Sequence, residues 1–189
     1  MMYLPRANLV YIAVPKTGGI STATVLGKYA SAETVYDTND VAKMHLPASY
    51  AKKVFPKADV VCLIREPLSW MSSKYKYLSS DMFPWGSVYT TKHQAFDKFV
   101  SRYLRGERPW PEPYRLQSDY VSGADFVFRY EEIEKFTSFL SDRLGEPIVL
   151  PRLNVSPDRD LLLSHENKEA LVDVLRFDYE IWNRVGDTP

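Results

Sequence analysis

Three times along the chain, a short run of almost entirely apolar residues is followed by a polar turn and then by a segment with helical spacing. Runs that are apolar at consecutive positions are typical of strands buried on both faces in a parallel sheet. Strands that alternate with helices indicate βαβ units, in which helices cover the sheet. We therefore predict an α/β fold with a central parallel sheet flanked by helices. The predicted strands are residues 8–14, 58–64 and 125–130, and the predicted helices after them are residues 21–29, 67–77 and 131–144.

The length and composition fit one domain over residues 1–189. The chain is 45% hydrophobic and 25% charged, so it can bury a sizeable core and is unlike a disordered chain. Residues 81–123 are rich in proline and tryptophan, and we interpret them as an insertion of loops around a helix at about residues 93–104. This segment is too short to bury a core of its own. Residues 164–184 are predicted to close the chain as one helix or a bent pair.

The net charge limits the range of partners. Lys and Arg number 24 and Asp and Glu number 24, so the overall charge favours neither a nucleic acid nor an anionic membrane as partner. Positive charge is nevertheless concentrated in residues 43–78, where an anionic ligand could use it. The single cysteine, Cys62, cannot form an internal disulfide. The apolar run at residues 9–14 is too short for a membrane span, and we expect a cytoplasmic chain without one.

The first motif joins the first predicted strand to its helix and reads Val-Pro-Lys-Thr-Gly-Gly-Ile-Ser-Thr at residues 14–22. Backbone N–H groups that glycines leave accessible, at the positive end of a helix, can surround an anion. The lysine precedes the glycines, so this is not the phosphate loop of the nucleoside triphosphatases. An ordinary glycine turn beside an exposed lysine is the alternative interpretation. The candidate anion-binding residues are Pro15, Lys16, Thr17, Gly18, Gly19, Ile20, Ser21 and Thr22.

The second motif follows the second predicted strand. Arg65 leaves the end of that strand, and Ser69 and Ser73 share one face of the next helix because they lie four residues apart. A guanidinium group with hydroxyl groups near a helix N-terminus suits the dianion of a phosphate monoester. In the alternative interpretation, Arg65 pairs with Glu66 and the two serines only cap the helix.

Together and in this order, the two motifs resemble those of the sulfotransferases that use 3′-phosphoadenosine 5′-phosphosulfate (PAPS). The segment Arg-Glu-Pro-Leu-Ser at residues 65–69 looks especially similar to the carbohydrate-modifying, Golgi-type branch of that family. A weaker likeness extends over residues 116–120, 128–131 and 153–156.

The resemblance implies a fold, a cofactor and a set of contacts. The fold would have three layers, like that of the P-loop nucleoside triphosphatases. Residues 15–19 would hold the 5′-phosphosulfate of PAPS, and Arg65 and Ser73 would hold its 3′-phosphate. Adenosine 3′,5′-bisphosphate (PAP) would be the product, and no metal would be required.

The resemblance also implies a general base ahead of the second motif. His45 stands there, and the ordinary pKa of histidine, near 6.5, suits the removal of a proton from an acceptor hydroxyl group at neutral pH. Lys16 would neutralise the charge that builds on the leaving phosphate during an in-line transfer. Glu66 is a reserve candidate for the base. The simpler interpretation is that His45 only begins the helix near Pro47.

A late loop supplies weaker candidates for nucleotide contacts. Residues 150–159 resemble the family's nucleotide-side loop, which makes Asn154 and Ser156, and with them Arg152 or Arg159, candidates. A surface loop without a ligand is the alternative interpretation.

Aromatic residues and the other two histidines complete the set. Trp85, Trp110 and Tyr114 are candidates for a wall of the acceptor pocket, although scattered aromatic side chains usually serve packing. His93 and His165 lie outside the motifs, and we interpret them as surface or capping residues.

The sequence therefore predicts a sulfotransferase that moves the sulfuryl group of PAPS to a hydroxyl group of a carbohydrate or small alcohol. A non-catalytic module that binds a nucleotide or phosphate is the alternative. A small-molecule kinase is a further alternative, and it would need a magnesium-binding acid and a standard phosphate loop. The acceptor and the oligomeric state stay open.

Overall fold

The computed structural model describes residues 1–34, 44–80, 94–107, 116–153 and 161–186. Within these ranges the chain has an α/β fold in which a four-stranded sheet carries helices on both faces. The predicted fold class is confirmed. The strands are β1 (Met2–Leu4), β2 (Leu9–Ile12), β3 (Asp59–Ile64) and β4 (Phe126–Arg129). The α-helices are α1 (Gly19–Leu26), α2 (Ala48–Val54), α3 (Pro67–Leu78), α4 (Phe96–Leu104), α5 (Gln117–Val121), α6 (Ile133–Leu144), α7 (His165–Val174) and α8 (Arg176–Gly186).

The sheet has the order β1-β2-β3-β4. β2, β3 and β4 are parallel, as predicted, whereas β1 pairs antiparallel with β2 at the edge. Sequence analysis did not predict β1, because a strand of three residues is too short for a periodic pattern. A 3₁₀ turn at Pro5–Ala7 reverses the chain between the two strands, and Asn8 completes it with a φ of 46°. Asn is one of the residues that enter this left-handed region most readily.

β2 and β3 are buried on both faces, which explains their continuous apolar runs. Side chains alternate along β2, so Leu9 and Tyr11 join one hydrophobic cluster while Val10 and Ile12 join another. The first cluster is covered by α1 and α6, and the second by α2, α5 and α8. The molecule therefore has the three layers that the resemblance implied.

A third hydrophobic cluster lies among helices alone. It is built from α3, α4 and α7, with Trp70, Phe99 and Leu171 fully buried. The predicted closing segment is a bent pair, because α7 and α8 meet at Leu175. Ser164 caps α7 by accepting the backbone N–H of Asn167 at 3.4 Å. Among the described helices, none combines the length and the apolar character that crossing a bilayer requires.

We expect Leu63→Ala to lower the free energy of unfolding by about 2–5 kcal/mol, because Leu63 is fully buried in β3 and its truncation leaves a cavity. Urea denaturation measures the change. Leu162→Ala is the matched control, since Leu162 is 85% exposed and should change stability by no more than about 0.5 kcal/mol. Equal losses in the two variants would contradict the assignment of β3 to the core.

Candidate functional site

The two sequence motifs leave the sheet at the same edge. β2 and β3 are adjacent and parallel, with Ile12 opposite Cys62, so the turns that follow them start next to each other. The first turn leads into α1 and the second into α3. In open sheets of this kind, ligands bind beyond the carboxyl ends of the strands. The structure thus places the two candidate anion sites next to each other, beyond the carboxyl ends of β2 and β3.

The turn after β2 is held by hydrogen bonds from side chains. The indole N–H of Trp70 in α3 donates to the carbonyl oxygen of Pro15 at 2.8 Å, and this bond is buried. The hydroxyl group of Thr17 donates to the carbonyl oxygen of Val14 at 2.9 Å. Lys16, between them, has a left-handed backbone with a φ of 66°. These bonds fix the backbone conformation of the turn, whereas an ordinary exposed glycine turn would not require them.

Both glycines of the turn are required by their surroundings. Gly18 has a φ of 81°, and a Cβ atom there would lie 3.2 Å from Cε2 of Tyr130. A Cβ atom on Gly19 would lie 3.2 Å from the Cβ of Ala13. Any larger residue at Gly18 would strain the backbone and press on Tyr130. The two glycines thus let the turn pack closely while its N–H groups stay accessible.

The start of α1 has hydrogen-bond donors without a side-chain acceptor among the described residues. Gly18, which precedes the helix, has no side chain to cap the N–H groups of the first turn. Thr22 is fully buried, and its hydroxyl group has no hydrogen-bond partner among the described residues. A buried hydroxyl group without a partner costs about 1–3 kcal/mol, which an acceptor ligand would recover. Ser21 is buried and accepts a long bond, at 3.4 Å, from the N–H of Leu153, while Ile20 is exposed.

Arg65 is held on both its backbone and its side chain. Its Nε donates to the hydroxyl oxygen of Ser69 at 3.0 Å, and its guanidinium group lies 5.0 Å from the centre of the Tyr130 ring. The backbone N–H and carbonyl groups of Arg65 both bond to the Gln117 side chain. In the described part of the chain, its terminal amino groups make no hydrogen bond. They remain as donors for an anion, and Ser73 lies one helical turn beyond Ser69.

Glu66 does not pair with Arg65, so the alternative interpretation of the second motif is wrong within the described ranges. Its carboxylate instead caps α3 by accepting the N–H groups of Leu68 at 3.2 Å and Ser69 at 2.6 Å. It also accepts the hydroxyl group of Tyr179 at 2.6 Å. Burial, and then this bond, raise the pKa of Tyr179. With three donors on its carboxylate, Glu66 is poorly suited to serve as the reserve base, and any anion beside Arg65 must rely on side chains.

One face of α3 connects the two motifs. Ser69, Ser73 and Tyr77 lie four residues apart and share this face. Arg65 contacts its first residue, Ser69, while the ammonium group of Lys16 lies 3.9 Å from the centre of the Tyr77 ring. Eight residues of helix separate the two contacts, roughly 12 Å along the axis. Lys16 and Arg65 are therefore on the same face of the molecule, set apart along one helix.

Tyr130 contacts both the turn after β2 and the turn after β3. Its ring packs against Gly18 of the first turn and lies under the guanidinium group of Arg65 from the second. Tyr130 stands immediately after β4, the third parallel strand, which brings it to the same edge of the sheet. The two candidate sites therefore share one wall.

His45 lies at the end of β2. Its Nδ1 is 2.7 Å from the carbonyl oxygen of Ala13. A carbonyl oxygen only accepts, so Nδ1 carries the proton and Nε2 of the neutral ring is the basic nitrogen. The ring meets that of Tyr120 edge-on at 6.5 Å. His45 does not cap α2, which begins at Ala48 without a side-chain cap.

Most of the remaining candidates lie outside the described residues, whereas Arg152 directly precedes Leu153, whose N–H contacts Ser21 at the start of α1. Trp85, Trp110, Tyr114, Asn154 and Ser156 lie outside the described residues, as do His93 and Arg159. Arg152 is exposed. His165 begins α7, is exposed, and pairs with Glu169 at 3.3 Å, in agreement with a surface residue.

A groove of about 640 Å³ lies along α7 and α8. Side chains of both charge signs line it, including Lys168, Asp173, Arg176 and Glu180. No residue of either motif lines this groove. Tyr179, which also lines it, donates to Glu66 beside Arg65.

Sequence analysis assigned no role to three residues that shape the site: Trp70, Gln117 and Tyr130. Trp70 lies inside the second motif, and the other two lie in the segments of weaker likeness, residues 116–120 and 128–131. The weaker likeness of those two segments was the signal that could have identified Gln117 and Tyr130 as site residues. Their partners are 52 to 112 positions away along the chain, and no local pattern predicts such contacts.

Comparison with solved structures gives a likeness of overall shape. No protein-family model matches the chain, and no curated protein matches it. A mouse sulfotransferase, SULT7A1 complexed with PAP, superposes with a TM-score of 0.45 at 15% sequence identity. The match covers 78% of this chain and 65% of the mouse chain, so this chain spans just under two thirds of that protein's length.

We expect Gly18→Ala to destabilise the protein more than Gly123→Ala. Both glycines have a positive φ, of 81° and 88°, which costs a side-chain-bearing residue about 1–2 kcal/mol. Only Gly18 would also press a Cβ atom on Tyr130, whereas nothing lies within 4 Å of a Cβ atom at Gly123. This contact should add about 1–3 kcal/mol. Urea denaturation measures both variants, and equal losses would show that Tyr130 does not pack on the turn.

Proposed function

We propose that this chain is a sulfotransferase that moves the sulfuryl group of PAPS to a hydroxyl group of a carbohydrate or small alcohol. One observation carries the proposal. Lys16 and Arg65, one from each motif, contact the same face of α3 eight residues apart. Two cationic groups set apart along one surface suit a nucleotide that carries phosphate at both the 3′ and the 5′ position of its ribose.

The turn after β2 and the start of α1 hold the 5′-phosphosulfate in this proposal. The support is the chemistry of the donors: N–H groups without a side-chain cap at a helix N-terminus, with the hydroxyl groups of Ser21 and Thr22 nearby. The buried hydroxyl group of Thr22 without a described partner fits an anionic acceptor. When bound, PAPS supplies a sulfuryl group attached to a phosphate leaving group.

Arg65, Ser69 and Ser73 hold the 3′-phosphate. The two terminal amino groups of Arg65 form a fork that matches two phosphate oxygens. The Nε of Arg65 already bonds to Ser69, which orients the fork. Because Glu66 occupies the N–H groups at the start of α3, this end of the nucleotide is bound by side chains.

The ammonium group of Lys16 moves away from the Tyr77 ring and binds the phosphate that serves as leaving group. A cation resting on an aromatic ring near the surface gains about 0.5–1 kcal/mol, and a hydrogen bond between charged groups gains about 1.5–3 kcal/mol. A phosphate group therefore draws the ammonium group away from Tyr77. The positive charge then offsets the negative charge that develops on the leaving oxygen.

His45 takes the proton of the acceptor hydroxyl group at Nε2. Its bond from Nδ1 to the carbonyl oxygen of Ala13 keeps that tautomer and stabilises the imidazolium form after the proton has moved. The same bond holds the ring at the end of β2, beside the turn that carries Lys16. Glu66 contributes by holding α3 in place through the N–H groups of Leu68 and Ser69.

The proposal predicts that the chain binds PAP without magnesium and transfers sulfate from PAPS. Calorimetry with PAP and with magnesium-ATP measures the preference, and labelled PAPS with a panel of sugars and alcohols measures the transfer. A preference for magnesium-ATP would indicate a kinase. Binding of PAP without transfer to any acceptor would indicate a binding module.

Lys16→Ala is the variant that separates chemistry from binding in this assay. It should lower kcat on the order of 10²–10³-fold, because it removes charge stabilisation at the leaving group. Lys135→Ala is the matched control, since Lys135 is exposed on α6 and pairs only with Glu132. Wild-type turnover in Lys16→Ala would contradict the role given to Lys16.

His45→Ala should lower kcat/KM on the order of 10²–10⁴-fold, because no general base remains at that position. The fall in rate at acid pH, which protonation of His45 causes in the wild-type chain, should disappear. His165→Ala is the control and should keep both the rate and the pH profile, since His165 is exposed on α7. An unchanged pH profile in His45→Ala would show that another group takes the proton.

A further inference from the structure

The carboxamide group of Gln117 binds both backbone groups of Arg65. The N–H of Arg65 donates to Oε1 of Gln117 at 2.8 Å, and Nε2 of Gln117 donates to the carbonyl oxygen of Arg65 at 2.8 Å. Arg65 stands one residue beyond the end of β3, where the pairing with β4 stops at Ile64. Its backbone groups need other partners there. The neutral carboxamide group of Gln offers an NH₂ donor and a carbonyl acceptor side by side, which matches the N–H and carbonyl groups of one residue.

Gln117 is in turn held by Asp178 of α8. The carboxylate of Asp178 accepts the N–H of Gln117 at 3.0 Å and that of Ser118 at 2.8 Å. Gln117 and Asp178 are 1% and 2% exposed, so water does not compete for these bonds. Burial raises the pKa of Asp178, and the two N–H groups act against that change. The carboxylate thus fixes the start of α5, from which the side chain of Gln117 extends to Arg65.

These bonds determine where the side chain of Arg65 starts. A backbone fixed at both its N–H and its carbonyl group sets the direction of the Cα–Cβ bond, and Ser69 then orients the guanidinium group at 3.0 Å. Charge-assisted contacts of a planar fork depend strongly on geometry. A displacement of about 1 Å is enough to weaken such a site severalfold or more.

We propose that Gln117, held by Asp178, is a positioning residue that aims Arg65 at the 3′-phosphate and so makes the chain prefer nucleotides that carry one. This inference rests on the proposed function. A purely structural role would change the binding of all nucleotides alike, or only the stability. If Gln117 is a positioning residue, its substitution lowers the affinity for PAP. The affinity for AMP, which has no 3′-phosphate, stays unchanged.

The test measures the dissociation constants of PAP and AMP by calorimetry for the wild-type chain and for Gln117→Met. Methionine keeps the volume and the burial and removes both bonds to Arg65. We expect the affinity for PAP to fall on the order of tenfold and the affinity for AMP to stay unchanged. The matched control is Gln94→Met, because the Gln94 side chain bonds to Arg102 instead, and it should keep both affinities.

Asp178→Asn provides a second variant that decides the inference if Gln117→Met does not fold. It keeps the volume and loses one of the two acceptors, so it should reduce the preference for PAP in the same direction. If the wild-type chain prefers PAP and the folded variants keep that preference, or lose both affinities equally, the inference is wrong. If the wild-type chain binds neither nucleotide, the proposed function fails and the inference with it.

Discussion

The parallel pairing of β2 with β3 is the constraint on which the candidate site depends. It ends both strands at one edge of the sheet, so the turn that carries Lys16 and the turn that carries Arg65 begin as neighbours. An antiparallel pairing would send the two turns to opposite edges, and no side chain could then join them. Trp70 strengthens the arrangement, because its buried bond to Pro15 ties the helix after β3 to the turn after β2.

The parts of this site that depend on residues close together in the sequence could be predicted. An apolar run with β-branched residues predicts a buried strand wherever it occurs, and the two glycines predict a turn with a positive φ, found at Gly18. The four-residue spacing of Ser69 and Ser73 predicts a shared helix face by geometry alone. Together with the order of strands and helices, these local signals were enough for the fold class and for the position of both motifs.

The contacts that hold the site together could not be predicted in the same way, because they join residues that are remote along the chain. Nothing near Gln117 indicates that its carboxamide reaches Arg65, 52 positions earlier. The alternative pairing of Arg65 with Glu66 does not form, for a local reason that pattern analysis did not weigh: the backbone N–H groups at the start of α3 donate to that carboxylate. The edge strand β1 was missed because three residues show no period.

The link from Asp178 through Gln117 to Arg65 has a consequence for biosynthesis. Arg65 depends on a residue synthesised 52 positions later, and that residue depends on one a further 61 positions along. While the ribosome is still making the segment before α8, the residues of β2 and β3 have already been synthesised, but Gln117 still lacks its partner Asp178. Contacts between such distant residues also slow folding. The nascent chain therefore completes the site around Arg65 only after α8 has been synthesised.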